Sequence, residues 1–96
     1  MKIKIEKQHI EKGEPATSMD CPIAIAFWEL FPEAKLVSVE CDAIYFGIGN
    51  TDYKVDLPDS AKQFIRNFDV QETRELAIPF EFDLPELEEV VEDDNY

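Results

Sequence analysis

Hydrophobic and polar positions change period several times along the chain. At the start, Ile3 and Ile5 alternate with Lys2, Lys4 and Glu6, the two-residue period of a half-buried strand, predicted over residues 2–10. "EKGEPATS" (Glu11–Ser18) is a loop by its glycine, proline and small polar residues. "MDCPIAIAFWELFPE" then reads as a helix. Pro22 suits a first turn, where its missing N–H costs nothing, with Asp20 or Ser18 as cap, and Pro32 ends it. Ile23, Ala26, Phe27, Leu30 and Phe31 share one face, while Ile25 and Trp28 lie on another.

Three β-rich stretches follow: Lys35–Glu40, Ala43–Gly49 and Tyr53–Leu57. Tight turns at Cys41-Asp42 and Gly49–Asp52 join them into a predicted antiparallel meander. Pro58–Asp69 starts a second helix capped by Asp59 or Ser60, with Ala61, Phe64, Ile65 and Phe68 as its buried stripe. After the polar connector "VQETRE", Leu76–Leu84 is predicted to be a strand with Leu76, Ile78, Phe80, Phe82 and Leu84 on one face. Pro79 places it at a sheet edge. Beyond Pro85, Leu87, Val90 and Val91 recur at helical spacing. The order β-α-β-β-β-α-β plus an acidic segment predicts an α+β domain, a mainly antiparallel sheet with two helices on one face. Residues 1–84 form the domain and 85–96 the acidic C-terminal segment.

Charge adds what the hydropathy pattern lacks. The net charge is −13 over 96 residues, and it is uneven. Residues 81–96 hold eight acids and no base: Glu81, Asp83, Glu86, Glu88, Glu89, Glu92, Asp93 and Asp94. Such a surface repels nucleic acid and anionic membrane, and its natural partner is a basic protein surface. Glu81 and Asp83 alternate on one strand face. If 86–94 were helical, Glu86, Glu89 and Asp93 would share a face, flanked by Glu88 and Glu92, as one acidic ridge. Carboxylates two strand residues apart are separated by ~6.6 Å, close to two rises of ~3.4 Å in a DNA strand.

Candidate chemistry is sparse. His9 is the single histidine and is placed near a strand end at the surface, with no general-base role. Cys21 stands at a helix N-terminus, where a thiolate is favoured, but Asp20 and the apolar stretch after it oppose ionisation. Cys21 and Cys41 are both expected to be small buried residues in a reducing cytoplasm. Asp52, Asp56 and Asp59 lack the spacing of a cation loop, and no phosphate-binding glycine loop occurs. No metal or cofactor is expected, and no apolar run reaches the ~20 residues of a membrane span. Lys2, Lys4, Lys7 and Lys12, diluted by Glu6 and Glu11, are expected to complement acidic neighbours within the fold. Ile25 and Trp28 either fill a small second core under the Glu11–Met19 loop or the acidic segment, or form an exposed patch for a partner or second copy.

"CPIAIAFWE" (Cys21–Glu29), "VDLPDSAKQFIRNFD" (Val55–Asp69) and "IPFEFDL" (Ile78–Leu84) together resemble small proteins of bacteriophage and prophage genomes. Those share a Cys-Pro-Ile-Ala helix start, a Leu-Pro before a helix ending Phe-Ile-x-x-Phe-Asp, and a Pro-Phe-x-Phe strand. The resemblance implies a viral setting and assigns no site residues. In charge, size and class the chain is also similar to phage DNA mimics that occupy basic grooves of host defence complexes. The expectation is therefore a non-enzymatic anti-CRISPR or anti-restriction inhibitor using the acidic residues. The alternative is a structural or adaptor module, possibly homodimeric through Trp28. A thiol enzyme using Cys21 is a third reading.

Overall fold

A computed structural model describes residues 2–90. The class is α+β: helices packed with antiparallel sheets. The strands form two sheets where one is expected from the sequence. One is a two-stranded ribbon, β1 (Lys2–Ile5) against β5 (Phe80–Asp83). The other has four strands in the order β2-β3-β4-β6: β2 (Lys35–Val39), β3 (Ala43–Ile48), β4 (Thr51–Asp56) and β6 (Glu88–Val90).

The three predicted strands form the antiparallel meander, with β4 starting at Thr51 instead of Tyr53. Ile44 lies opposite Val55 and Phe46 opposite Tyr53, so these side chains line the inner face, while Tyr45 and Lys54 face outward as a pair. Gly49 takes φ 62 in the turn between β3 and β4, where two-residue hairpin turns demand a positive φ. A register shift between Lys35 and Ser38 marks a bulge, and Leu36 within it has φ 52 and is 80% exposed.

Helix α2 (Pro22–Leu30) lays Ile23, Ala26 and Phe27 on the inner face of the meander. Phe27 is fully buried against Phe46, with ring centroids 4.7 Å apart. Burial of a phenyl ring of this kind stabilises by about 2–3 kcal/mol. The N-cap of α2 is Cys21, with no side-chain cap, where Asp20 or Ser18 is expected. Pro22 at the first helical position drives the residue before it into extended backbone, so the boundary falls at Cys21. In helix α3 (Asp59–Asp69) the proline is itself the N-cap, Pro58, and Asp59 places its charge in the first turn, near the positive helix end, instead of capping. Ala61, Phe64 and Phe68 are buried as predicted, and Ile65 partly so.

Four other expectations are corrected. The first strand ends at Ile5, and α1 (Lys7–Lys12) follows, because the next buried residue after Ile5 is His9, four positions on. The connector forms a 3₁₀ helix, Gln71–Leu76, and carries Leu76 and Ile78 outward, while Ala77 takes the buried place. Only Phe80–Asp83 of the predicted Leu76–Leu84 strand pairs, consistent with Pro79 lacking a donor. The segment beyond Pro85, whose apolar residues recur at helical spacing and which reads as an acidic tail or a short helix, forms an edge strand at Glu88–Val90; Val91 lies outside the described residues. The alternating core residues Ile3, Ile5 and Phe82 seat the ribbon on the same core as the meander, α2 and α3.

Candidate functional site

Of the acidic residues, the five that are described, Glu81, Asp83, Glu86, Glu88 and Glu89, do not form one ridge. On β5, Glu81 lies opposite Lys4 and Asp83 opposite Lys2. Directly opposed residues of antiparallel strands share a face, so each carboxylate has a lysine across the ladder. The Lys2 Nζ approaches Glu81 Oε1 at 3.9 Å, with both side chains about half exposed. The N-terminal lysines thus offset the charge of Glu81 and Asp83. Cross-strand pairs this exposed contribute little to stability.

Leu84–Leu87 then crosses to the other sheet, and Glu86, Glu88 and Glu89 are all exposed. Register pairs Glu88 with Lys54, Glu89 with Tyr53 and Val90 with Asp52. Glu88 therefore sits on the outward face and Glu89 on the opposite side, instead of along one helical face. Lys54 is held between carboxylates. Its ammonium pKa is raised, first by Asp56, whose Oδ1 is 3.6 Å from Nζ, then by Tyr45 and by Glu88. Glu86 and Glu89 have no cation within ion-pair distance among the described residues. Glu92, Asp93 and Asp94 lie outside the described residues.

Trp28 is 57% exposed, so among the described residues no second core forms over it; Ile25 beside it is half-buried. Its indole Nε1–H donates to the Pro32 carbonyl oxygen at 3.3 Å, closing the last turn of α2. Met19, Asp20, Ile25, Trp28, Glu29 and Pro32 line an open depression of about 430 Å³.

His9 is the residue the sequence reading misplaced most. It is 4% exposed, on α1. Its Nδ1 accepts from the Glu6 backbone N–H at 2.9 Å, so Nε2 carries the proton and donates to Glu29 Oε1 at 2.5 Å. The ring therefore caps α1 and ties it to α2. Glu6 and His9 have the three-residue spacing of a capping box, which is the signal in the sequence that points to this role.

Cys21 and Cys41 line a cavity of about 310 Å³ with Ser18, Val39, Phe68 and Asp69. Burial raises the Cys21 thiol pKa, outweighing the backbone N–H groups of Ala24 and Ile23 that favour the thiolate. The thiol is thus held neutral, the reverse of what a nucleophile needs. Cys41 is exposed instead of buried, because it falls in the turn after β2. Among the described residues no group of three or more His, Cys, Asp or Glu side chains is placed to hold a metal ion, and no helix is long and apolar enough to cross a membrane.

Comparison with protein-family models, with curated proteins and with solved structures returned no match.

Proposed function

We propose that the protein is a phage-type inhibitor with no catalysis of its own, acting in the host cytoplasm. It binds the basic nucleic-acid-binding surface of a host defence complex, as an anti-CRISPR or anti-restriction factor. The observation that carries this reading is the sheet edge at β6. There Glu86, Glu88 and Glu89 are exposed, and the chain continues into Glu92, Asp93 and Asp94. A strand edge holds Glu88 and Glu89 to its two sides, with Glu86 in the segment leading into it, so the edge presents negative charge in several directions to a basic surface. Glu81 and Asp83 play a smaller part, because Lys4 and Lys2 face them across the ribbon. The resemblance of Cys21–Glu29, Val55–Asp69 and Ile78–Leu84 to phage and prophage proteins supports the setting.

The test is capture of partners from host lysate on the immobilised full chain at about 50 and about 500 mM NaCl, followed by titration of the captured complex. Exposed ion pairs are screened by salt, so affinity is expected to fall at least about tenfold across that range. The triple variant E86Q/E88Q/E89Q should weaken binding comparably at low salt. Salt-independent binding, or full inhibition by that variant further truncated after Val90, refutes the reading.

A further inference from the structure

We propose that the Trp28 depression is a second docking surface, and that its occupant is a partner-protein segment bearing arginine or lysine beside apolar side chains. Four observations select that chemistry. First, the floor is apolar and preorganised. Ile25, Met19 and Pro32 flank Trp28, whose single polar group is already engaged by the Pro32 carbonyl, so the indole offers only its π surface. An exposed tryptophan face is the strongest side-chain site for a guanidinium or ammonium group. Second, the rim is acidic. Asp20 and Glu29 line the depression, Glu33 is exposed immediately after Pro32, and no lysine or arginine is among the lining residues. Glu29 uses Oε1 on His9, which leaves Oε2 for a partner and fixes the side chain beside the indole. Third, the negative end of the α2 dipole opens beside this surface, and the last turn of α2 holds no basic residue. Fourth, Met19 is about half exposed, which leaves apolar area open to a partner next to the cation subsite.

The same charges disfavour a second copy of this chain as occupant. Two acidic rims would face each other, on molecules each carrying −13. The surface lies on α2 and is independent of the β6 edge, so it does not depend on the inhibitor reading.

The experiment uses the full chain and a short fluorescein-labelled peptide of alternating leucine and arginine. Its companions are the same peptide with citrulline in place of arginine, and a labelled tetra-arginine. Trp28 is the single tryptophan, so wild-type emission reads occupancy of this surface directly. The leucine–arginine peptide is expected to shift that emission to the blue. Its affinity by anisotropy should fall about tenfold or more in Trp28→Ala, and several-fold in Asp20→Asn. The citrulline peptide should bind about tenfold more weakly. E86Q/E88Q/E89Q should keep the emission shift, and tetra-arginine, which lacks the apolar side chains, should bind wild type more weakly than the leucine–arginine peptide does. Trp28 and Asp20 are exposed, so their variants are expected to fold, which circular dichroism checks. Equal peptide binding by wild type and Trp28→Ala overturns the proposal, as does equal binding of the citrulline peptide. Sedimentation showing a wild-type dimer that Trp28→Ala dissociates overturns it too, by making a second copy the occupant.

Discussion

Replacing His9 by alanine should be among the most damaging single changes in the chain. The imidazole makes two contacts, and both are lost. The Glu6 N–H at the start of α1 loses its acceptor, and loss of an N-terminal cap costs about 1 kcal/mol. The hydrogen bond from Nε2 to the Glu29 carboxylate is charge-assisted, worth about 1.5–3 kcal/mol when buried. Glu29 is more than half exposed and rehydrates when released, so the low end of that range applies. Removing most of a ring that is 4% exposed also leaves a partly collapsed void, at about 1–2 kcal/mol. Together these predict a loss of about 3.5–4.5 kcal/mol, against a total near ~5–14 kcal/mol for a domain of this size. With a urea slope of about 1–1.5 kcal/mol per M, the midpoint moves down by about 2–4.5 M. The assay is urea unfolding followed by far-ultraviolet circular dichroism. Glu29→Gln, which keeps an oxygen acceptor, should cost only about 0.5–1 kcal/mol. A cycle with Glu29→Ala should return a coupling of about 1–1.5 kcal/mol. A His9→Ala loss below about 0.5 kcal/mol, or strict additivity with Glu29→Ala, refutes the account of His9 as the pin between α1 and α2.

Three further outcomes follow from local geometry. Gly13→Ala should destabilise by about 1–3 kcal/mol in the same unfolding assay, since a Cβ there would meet Pro22 Cδ at 2.5 Å and push the loop off the start of α2. Leu36→Gly should stabilise by up to about 1 kcal/mol, because the left-handed conformation at φ 52 strains leucine and its exposed side chain loses little packing. Under native conditions near neutral pH, iodoacetamide should modify Cys41 and spare Cys21 until the chain unfolds, read by mass spectrometry. The folded-state pKa of Cys21 lies above its ordinary value of 9.0, so the folded protein holds this proton more tightly than the unfolded chain. Stability from this group is full below about pH 9 and declines as the pH rises past it. Cys21→Ala should flatten that alkaline limb.

Legibility in the sequence tracks how local each interaction is. The meander and the phenylalanine stripe of α3 are written in short-range periodicity, so Ile44, Phe46, Val55, Phe64 and Phe68 are all found where their spacing puts them. Two failures come from pairing between distant segments. Nothing within Lys2–Glu6 distinguishes a strand of the main sheet from one that pairs with Phe80–Asp83. Leu87, Val90 and Val91 fit a helix by spacing, but the free edge of β4 offers hydrogen-bond partners to Glu88–Val90, and no local pattern reports that edge. The acidic residues are legible as a composition, while their division between two sheets is not, because the lysines that face them come from Lys2, Lys4 and Lys54. Trp28 shows the complementary case: apolar character predicts burial or a patch equally, and exposure is decided by which loops reach it.

The β1–β5 ribbon has a consequence for how the molecule is made and unmade. Lys2 meets Asp83 across nearly the whole chain, so this contact closes the longest loop in the fold. Closing a loop of ~80 residues costs about 4 kcal/mol of chain entropy, which a four-residue ribbon cannot repay alone. It becomes affordable only after the meander and α2 have drawn the two segments together. The ribbon is therefore a late-forming clasp, absent from the folding transition state. Weakening it, for example by Ile3→Val, should leave the folding rate almost unchanged and appear nearly entirely as faster unfolding.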